Sequence, residues 1–171
     1  MKLQADEFVV YKSAGVCRVL GEELQRPDGV TEVLYYKLKP EADPNSTYYI
    51  PVNMAEEKLR PLLTQAQVLE LIDNMPLSGD EEEWLDNRRE RKEMYSRIIG
   101  GDDQKALVHL IASLYFRKQS SEASGRRFSS MDESAMKNAE QLMLQEFGFV
   151  LGITPEEVRT FIDARVKKNH A

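Results

Sequence analysis

The sequence has a single cysteine, Cys17, and only two histidines, His109 and His170, far apart among 171 residues. One thiol excludes an internal disulfide framework, and so thin a supply of soft ligands leaves no Cys/His zinc site. No apolar run approaches the roughly 20 residues that span a bilayer, so no membrane contact is expected. The first seven residues, Met1–Glu7, contain no apolar stretch. No signal peptide is therefore expected, and the expected location is cytoplasmic. Positive charge is also in short supply: 23 Lys and Arg face 29 Asp and Glu, a net charge of −6. Phosphate neutralisation dominates unaided nucleic-acid affinity, so the net charge argues against strong stand-alone DNA binding but leaves room for a local basic patch held to DNA by a partner.

The chemistry of common enzymes is missing too. There is no GxSxG elbow, no HExxH and no glycine-rich phosphate loop; Gly100-Gly101 is too sparse and follows a helical pattern. Asp80-Glu81-Glu82-Glu83 reads as acidic residues favoured by the dipole of a first helical turn, not as a metal site. Cys17, between Val16 and Val19, reads as a small core residue, and His109, between Val108 and Leu110, as a packed or partly exposed helical histidine. No catalytic residue, metal or cofactor is expected, and the chain is not expected to be an enzyme.

What is present falls into two halves that change character near residue 63. The length fits one domain or two small ones, and an apolar fraction of 42% suits two small modules. Residues 6–60 read as β. Phe8–Tyr11 and Val16–Leu20 flank a tight turn in which Gly15 can take a positive φ. Pro27-Asp28-Gly29 is a second turn, Val30–Lys39 a third strand and Thr47–Val52 a fourth, with Pro51 confined to a strand end or edge. Four or five short strands in this length predict a small, strongly bent sheet or barrel.

Residues 64–168 read as about five helices. Thr64–Gln67 is a capping box opening the first. Asp80 is the expected cap of a second, reaching Ile99 before Gly100-Gly101. Asp102 or Asp103 caps a third, to about Gln119, followed by a polar loop from Ser120 to Arg127. Ser130–Glu133 reads as a capping box for a fourth, ended by Gly152. Thr154-Pro155-Glu156-Glu157 opens the last. The expected fold is α+β: a small bent β module over 1–63 and a helical domain over 64–171.

Two groups of residues are candidates for binding. Trp84 is the only tryptophan, and residues 84–97 carry five cations (Arg88, Arg89, Arg91, Lys92, Arg97) against three anions (Asp86, Glu90, Glu93). On one continuous helix Trp84, Arg88 and Arg91 share a face. An aromatic ring among guanidiniums can grip a phosphate backbone and wedge against a base step. Equally, the ring can pack in a helical core, which the usual burial of Trp favours, with the arginines solvated. Arg117-Lys118 and Arg126-Arg127 form a weaker basic cluster bracketing a loop. In the β half, alternation sends Tyr48 and Ile50 to one face of a strand and Tyr49 to the other, and an exposed tyrosine at a strand edge suits a protein interface.

The segment Val9-Val10-Tyr11-Lys12-Ser13-Ala14-Gly15-Val16, then Tyr35–Leu38, Tyr49–Val52 and Leu59-Arg60, resembles the CarD/CdnL family of bacterial transcription factors. Trp84, Gly101-Asp102, Ser130 and Pro155–Val158 extend that resemblance over nearly the whole chain. Lys12 and Ala14 stand where the family has Pro and His, and Tyr49 where some members carry a cation. The resemblance implies a Tudor-like module that binds the RNA polymerase β subunit, as the similar module of the transcription-repair coupling factor does. It also implies a helical domain that meets promoter DNA at the upstream edge of the bubble and stabilises the open complex. Carried over by position, Tyr48, Tyr49 and Ile50, with Arg26 as a looser candidate, face polymerase. Trp84 is the wedge, with Arg88, Arg91 and Lys92 near phosphates. A monomer is expected. The alternative is an adaptor that binds polymerase or another protein without touching DNA. A lone sequence-specific DNA binder would need a basic recognition helix, and none is present.

Overall fold

The computed structural model describes residues 1–12, 14–78 and 84–171. The chain divides into two compact units, Met1–Leu62 and Leu63–Ala171. The first is an antiparallel five-stranded sheet, so the α+β reading holds. Its strands are β1 (Phe8–Tyr11), β2 (Gly15–Gln25), β3 (Val33–Pro40), β4 (Tyr48–Pro51) and β5 (Leu59–Arg60), in the order β4-β3-β2-β1-β5. A single 3₁₀ turn, Val52–Met54, and a one-turn helix α1 (Ala55–Lys58) lead from β4 to β5. Gly15 has φ 86°, which closes the β1–β2 connection at no steric cost. Pro51 is the last residue of an edge strand, where its missing N–H breaks no ladder.

Strand β2 runs five residues beyond the Leu20 end read from the sequence. Between Val19 and Gly21 the pairing with β3 slips by one residue, leaving Leu20 as the extra residue of a bulge. The bulge bends the strand and lets it continue into a long hairpin with β3. Alternation then sorts the side chains. Val9, Cys17, Val19, Tyr36, Leu38 and Ile50 face a core completed by Ala55 and Leu59. The Tyr36 hydroxyl donates to the Met1 carbonyl and accepts from the Leu3 amide, which ties down the N-terminus. Burial pushes the Cys17 thiol up to about 11, so it is a protonated core residue at neutral pH.

The second unit holds α2 (Gln65–Asp73), α3 (Arg88–Ile99), α4 (Gln104–Ala123), α5 (Ser130–Leu151) and α6 (Pro155–Asn169). Capping boxes open α2 and α6: Thr64 and Thr154 accept the amides of Gln67 and Glu157, whose side chains reach back to the cap amides. Asp103 caps α4. Three boundaries differ from the sequence reading. Helix α3 starts at Arg88, capped by Asn87, and Trp84 to Asn87 are not helical; Asp80–Glu83 lie outside the described residues. Helix α4 continues to Ala123, where Gly125 at φ 70° receives a Schellman close: Arg126 N–H to Ser121 O and Gly125 N–H to Glu122 O. The cap of α5 is Ser129, one residue earlier than expected, because its hydroxyl accepts the Asp132 amide at 3.1 Å.

Helices α4, α5 and α6 pack around Phe147, Leu107, Val108, Ala139, Met143 and Val158, with Val68 and Ile72 of α2 joining them. Gly148 makes the α5–α6 corner possible. A Cβ there would stand 2.7 Å from the Ile153 carbonyl oxygen and 3.3 Å from a Val158 methyl. The first contact is with backbone and cannot be relieved by a rotamer change. Gly148→Ala is therefore expected to destabilise the unit by about 1–3 kcal/mol, the usual cost of overpacking, seen as a lower urea midpoint by circular dichroism. An unchanged midpoint would mean that the corner opens without cost.

Candidate functional site

The outer face of the sheet is the first candidate surface. Tyr49 lies on edge strand β4, is 38% exposed and pairs across the ladder with Lys37. The Lys37 ammonium stands 5.9 Å from the Tyr49 ring centroid, and Tyr35 meets that ring edge-on at 6.4 Å. Glu23 lies 3.9 Å from Lys37, a Coulombic contact too long for a hydrogen bond. The result is a shallow aromatic patch with one cation: two rings held at right angles by cross-strand pairing, with side chains half in water. Such a patch offers large contact area at low ordering cost, as tyrosine does at interfaces.

The other β-module candidates do not gather there. Ile50 is 5% exposed and belongs to the core, because alternation turns it away from Tyr49. Tyr48 shares that inner face, half-buried, with its ring edge against Tyr11 at 5.3 Å. Arg26 sits in the connection beyond β2 and pairs with Glu32 across the hairpin tip. The tip itself is ordered by Asp28, whose carboxylate accepts the amides of Val30 and Thr31; those bonds hold its carboxyl below the usual range. The sequence signal for Tyr49 was sound alternation. Its neighbours Tyr35 and Lys37 were missed because ladder register is not readable from one strand alone.

The second candidate surface surrounds Trp84. The ring is half-buried and packs on a cluster formed by Tyr95, Leu110, Leu114, Ala135 and Met136. Two guanidiniums lie over it: Arg91 at 4.7 Å and Arg117 at 4.3 Å from the ring. At these distances each is a cation–π contact. Arg91 is 8% exposed and wholly engaged in the interior. Its Nε and one terminal nitrogen donate to the two Asp132 oxygens at 2.8 and 3.1 Å. Its remaining terminal nitrogen donates to the carbonyls of Leu85 and Asp86. Those two bonds tie the non-helical Trp84–Asn87 segment to Arg91, and α3 begins beyond its cap Asn87, whose side chain accepts the Glu90 amide at 3.1 Å. Arg91 is thus a clamp within the fold, and the role near phosphates expected of it is not one this position allows.

Asp132 is the hub. Besides Arg91 it accepts the Tyr95 hydroxyl and the Ser129 hydroxyl, each at 2.6 Å. Burial acts to raise its carboxyl, but the Arg91, Ser129 and Tyr95 bonds outweigh it and hold the group below the ordinary carboxylate range. The same burial, with Asp132 alongside, drives the Tyr95 phenol upward, so Tyr95 stays a donor.

Arg88 and Lys92 are exposed on α3, and Arg117 is exposed on α4. None of the three has a carboxylate partner among the described residues, whereas Arg89 pairs with Glu93, and Lys118 with Glu133 at 3.1 Å. Arg117 and Lys118 lie in a helix, as the sequence reading has them, but α4 runs on to Ala123, so the loop they were expected to border starts later. One signal could have placed Arg117: it follows Leu110 and Leu114 at i+7 and i+3, on the stripe that packs beneath Trp84.

The family model for the CarD-like/TRCF RID domain matches residues 3–63. The N-terminal unit is a CarD-like/TRCF RID domain. The RID domain makes this an RNA polymerase-binding, transcription-related protein, and the family resemblance of Val9–Val16, Tyr35–Leu38 and Tyr49–Val52 holds for that unit. The match stops at the start of the helical unit and does not include Trp84. No curated protein matches the chain. No described helix is long and apolar enough to cross a membrane.

Proposed function

We propose that the RID domain binds the β subunit of RNA polymerase through the Tyr49–Tyr35–Lys37 patch, while the helical unit contacts promoter DNA at the upstream edge of the bubble and stabilises the open complex. The observation that carries the second half is the indole of Trp84 held beneath the Arg117 guanidinium, with Arg88 and Lys92, which have no carboxylate partner among the described residues, nearby in sequence. A ring offers a base-stacking surface, and cations without carboxylate partners are free to neutralise phosphates. The overall charge of −6 makes this contact weak alone. Tethering to polymerase raises the local DNA concentration, so a weak contact suffices. In this reading the protein performs no chemistry.

Tyr49→Ala tests the first half. It removes one aromatic anchor from the patch without touching the core. Affinity for polymerase is expected to fall about 10- to 30-fold, measured by gel-filtration co-migration and titration at physiological salt. Unchanged affinity would place the polymerase contact elsewhere on the domain. The adaptor reading is favoured by one observation, the half-burial of Trp84 against the α3–α5 cluster, since a ring that packs inward needs no DNA. Open-complex lifetime separates the two.

A further inference from the structure

The helical unit contains a groove of about 680 Å³ that shares only Met136 with the cluster beneath Trp84 and none of the Tyr49 patch. Its floor is apolar: Val108 and Ile111 of α4, Met136 and Met143 of α5, and Ile162 and Val166 of α6. Met75, Pro76 and Leu77 also line it, which brings three thioethers to one surface; methionine suits adaptable, repackable binding faces. The volume lies in the range of real binding pockets. Tyr115 and Leu77, 51% and 53% exposed, leave large apolar groups in water at this groove.

The charges around it are not balanced in what they offer a visitor. Both cations are already taken: Lys118 pairs with Glu133 at 3.1 Å and Arg159 with Glu140 at 3.0 Å. The Tyr115 hydroxyl already accepts from Gln119. Glu122 and Asp163, both exposed, have no cationic partner among the described residues. An incoming group therefore meets an apolar floor and two uncompensated carboxylates. That combination repels fatty acids, nucleotides and acidic peptides. It favours a surface with an apolar stripe flanked by positive charge.

We propose that this groove docks an amphipathic helix of a partner protein whose apolar stripe is bordered by lysine or arginine. A helix suits the site because it lays residues at i, i+3, i+4 and i+7 into an apolar groove, while its flanking side chains reach the rim. Its cylinder, roughly 10 Å across, also covers an open mouth that would leave a small apolar ligand half in water. The chain thereby carries a protein-docking surface in addition to its RID domain, on the unit that the family match does not reach.

The test uses the full chain and two fluorescein-labelled helical peptides with the same leucine stripe, one flanked by Lys and its twin by Glu. Fluorescence anisotropy is expected to show micromolar binding of the Lys peptide and at least tenfold weaker binding of the Glu twin. Glu122→Lys with Asp163→Lys is expected to weaken the Lys peptide at least tenfold with an unchanged melting curve, since both side chains are exposed and have no ion pair among the described residues. A control of equal charge change on the sheet unit, Glu22→Lys with Glu57→Lys, is expected to leave binding within about twofold. The proposal is overturned if the twin binds equally, if both double variants weaken binding alike, or if neither peptide binds. Uptake of an anionic apolar dye in place of both peptides would likewise overturn it and make the groove a small-molecule site.

Discussion

Asp132→Ala is expected to destabilise the helical unit by about 3–5 kcal/mol, the cost of leaving one member of a buried ion pair without its partner. The carboxylate gathers four donors: two nitrogens of Arg91, the Tyr95 hydroxyl and the Ser129 hydroxyl. Removing it strands a guanidinium that is 8% exposed and a phenol that is nearly inaccessible. Ser129 keeps its cap on α5 but loses its acceptor. Because Trp84 is the only tryptophan and the Arg91 guanidinium lies 4.7 Å from its ring, indole emission reports the damage directly. A urea melt followed by fluorescence should show a lower midpoint, with a red-shifted native baseline. The paired variant Arg91→Met with Asp132→Leu should recover much of the loss, since apolar groups of similar volume can replace a buried pair. A loss below about 1 kcal/mol for Asp132→Ala would mean that solvent already screens the pair. The pH dependence has a definite sign. The folded-state carboxyl lies below its unfolded value of about 3.9, so its contribution is fully present above that value. It disappears as pH falls through the lower, folded value, and the Asp132→Ala variant should lack that segment of the acid transition.

The contrast between Tyr49 and Trp84 shows what a single sequence makes legible. Period-two alternation separated Tyr49 from Tyr48 and Ile50, because facing follows from local backbone geometry, but which face turns outward is set by the whole sheet, and Ile50, expected at polymerase, lies in the core. The helix starts at Thr64 and Thr154 were legible for the same reason: a cap and its N3 partner sit three residues apart. Continuity of helix from Asp80 to Ile99 was a local inference too, and it failed at Trp84–Asn87. There the carbonyls of Leu85 and Asp86 accept from a guanidinium held in place by Asp132, a residue 41 positions beyond Arg91. The cap of α5 slipped by one residue for a related reason. Asp132 spends its carboxylate on Arg91 and Tyr95, and Ser129 supplies the cap. Contacts between distant elements also set the surroundings of each candidate ring. Arg117 reaches Trp84 from α4, and Tyr35 reaches Tyr49 from the next strand.

Trp84→Ala is expected to shorten the lifetime of open promoter complexes about tenfold while leaving polymerase affinity unchanged. Stacking of a base on an aromatic side chain is worth about 1–3 kcal/mol, and tenfold corresponds to about 1.4 kcal/mol of that. The variant also removes packing on Leu114 and Tyr95, so its melting curve belongs to the same experiment. Two further variants distinguish the ring's roles. Arg117→Ala removes the exposed guanidinium over the ring but leaves the indole on its cluster. It should shorten the lifetime less than Trp84→Ala. Arg88→Ala, at an exposed position without an ion pair among the described residues, should leave folding intact. Each neutralised phosphate contact is expected to lower the salt slope of complex decay by about one, and the paired Arg89 should not. A folded Trp84→Ala protein with an unaltered lifetime and an unaltered salt slope would leave the indole a packing residue. The helical unit would then serve as a protein-binding module carried to polymerase by the RID domain.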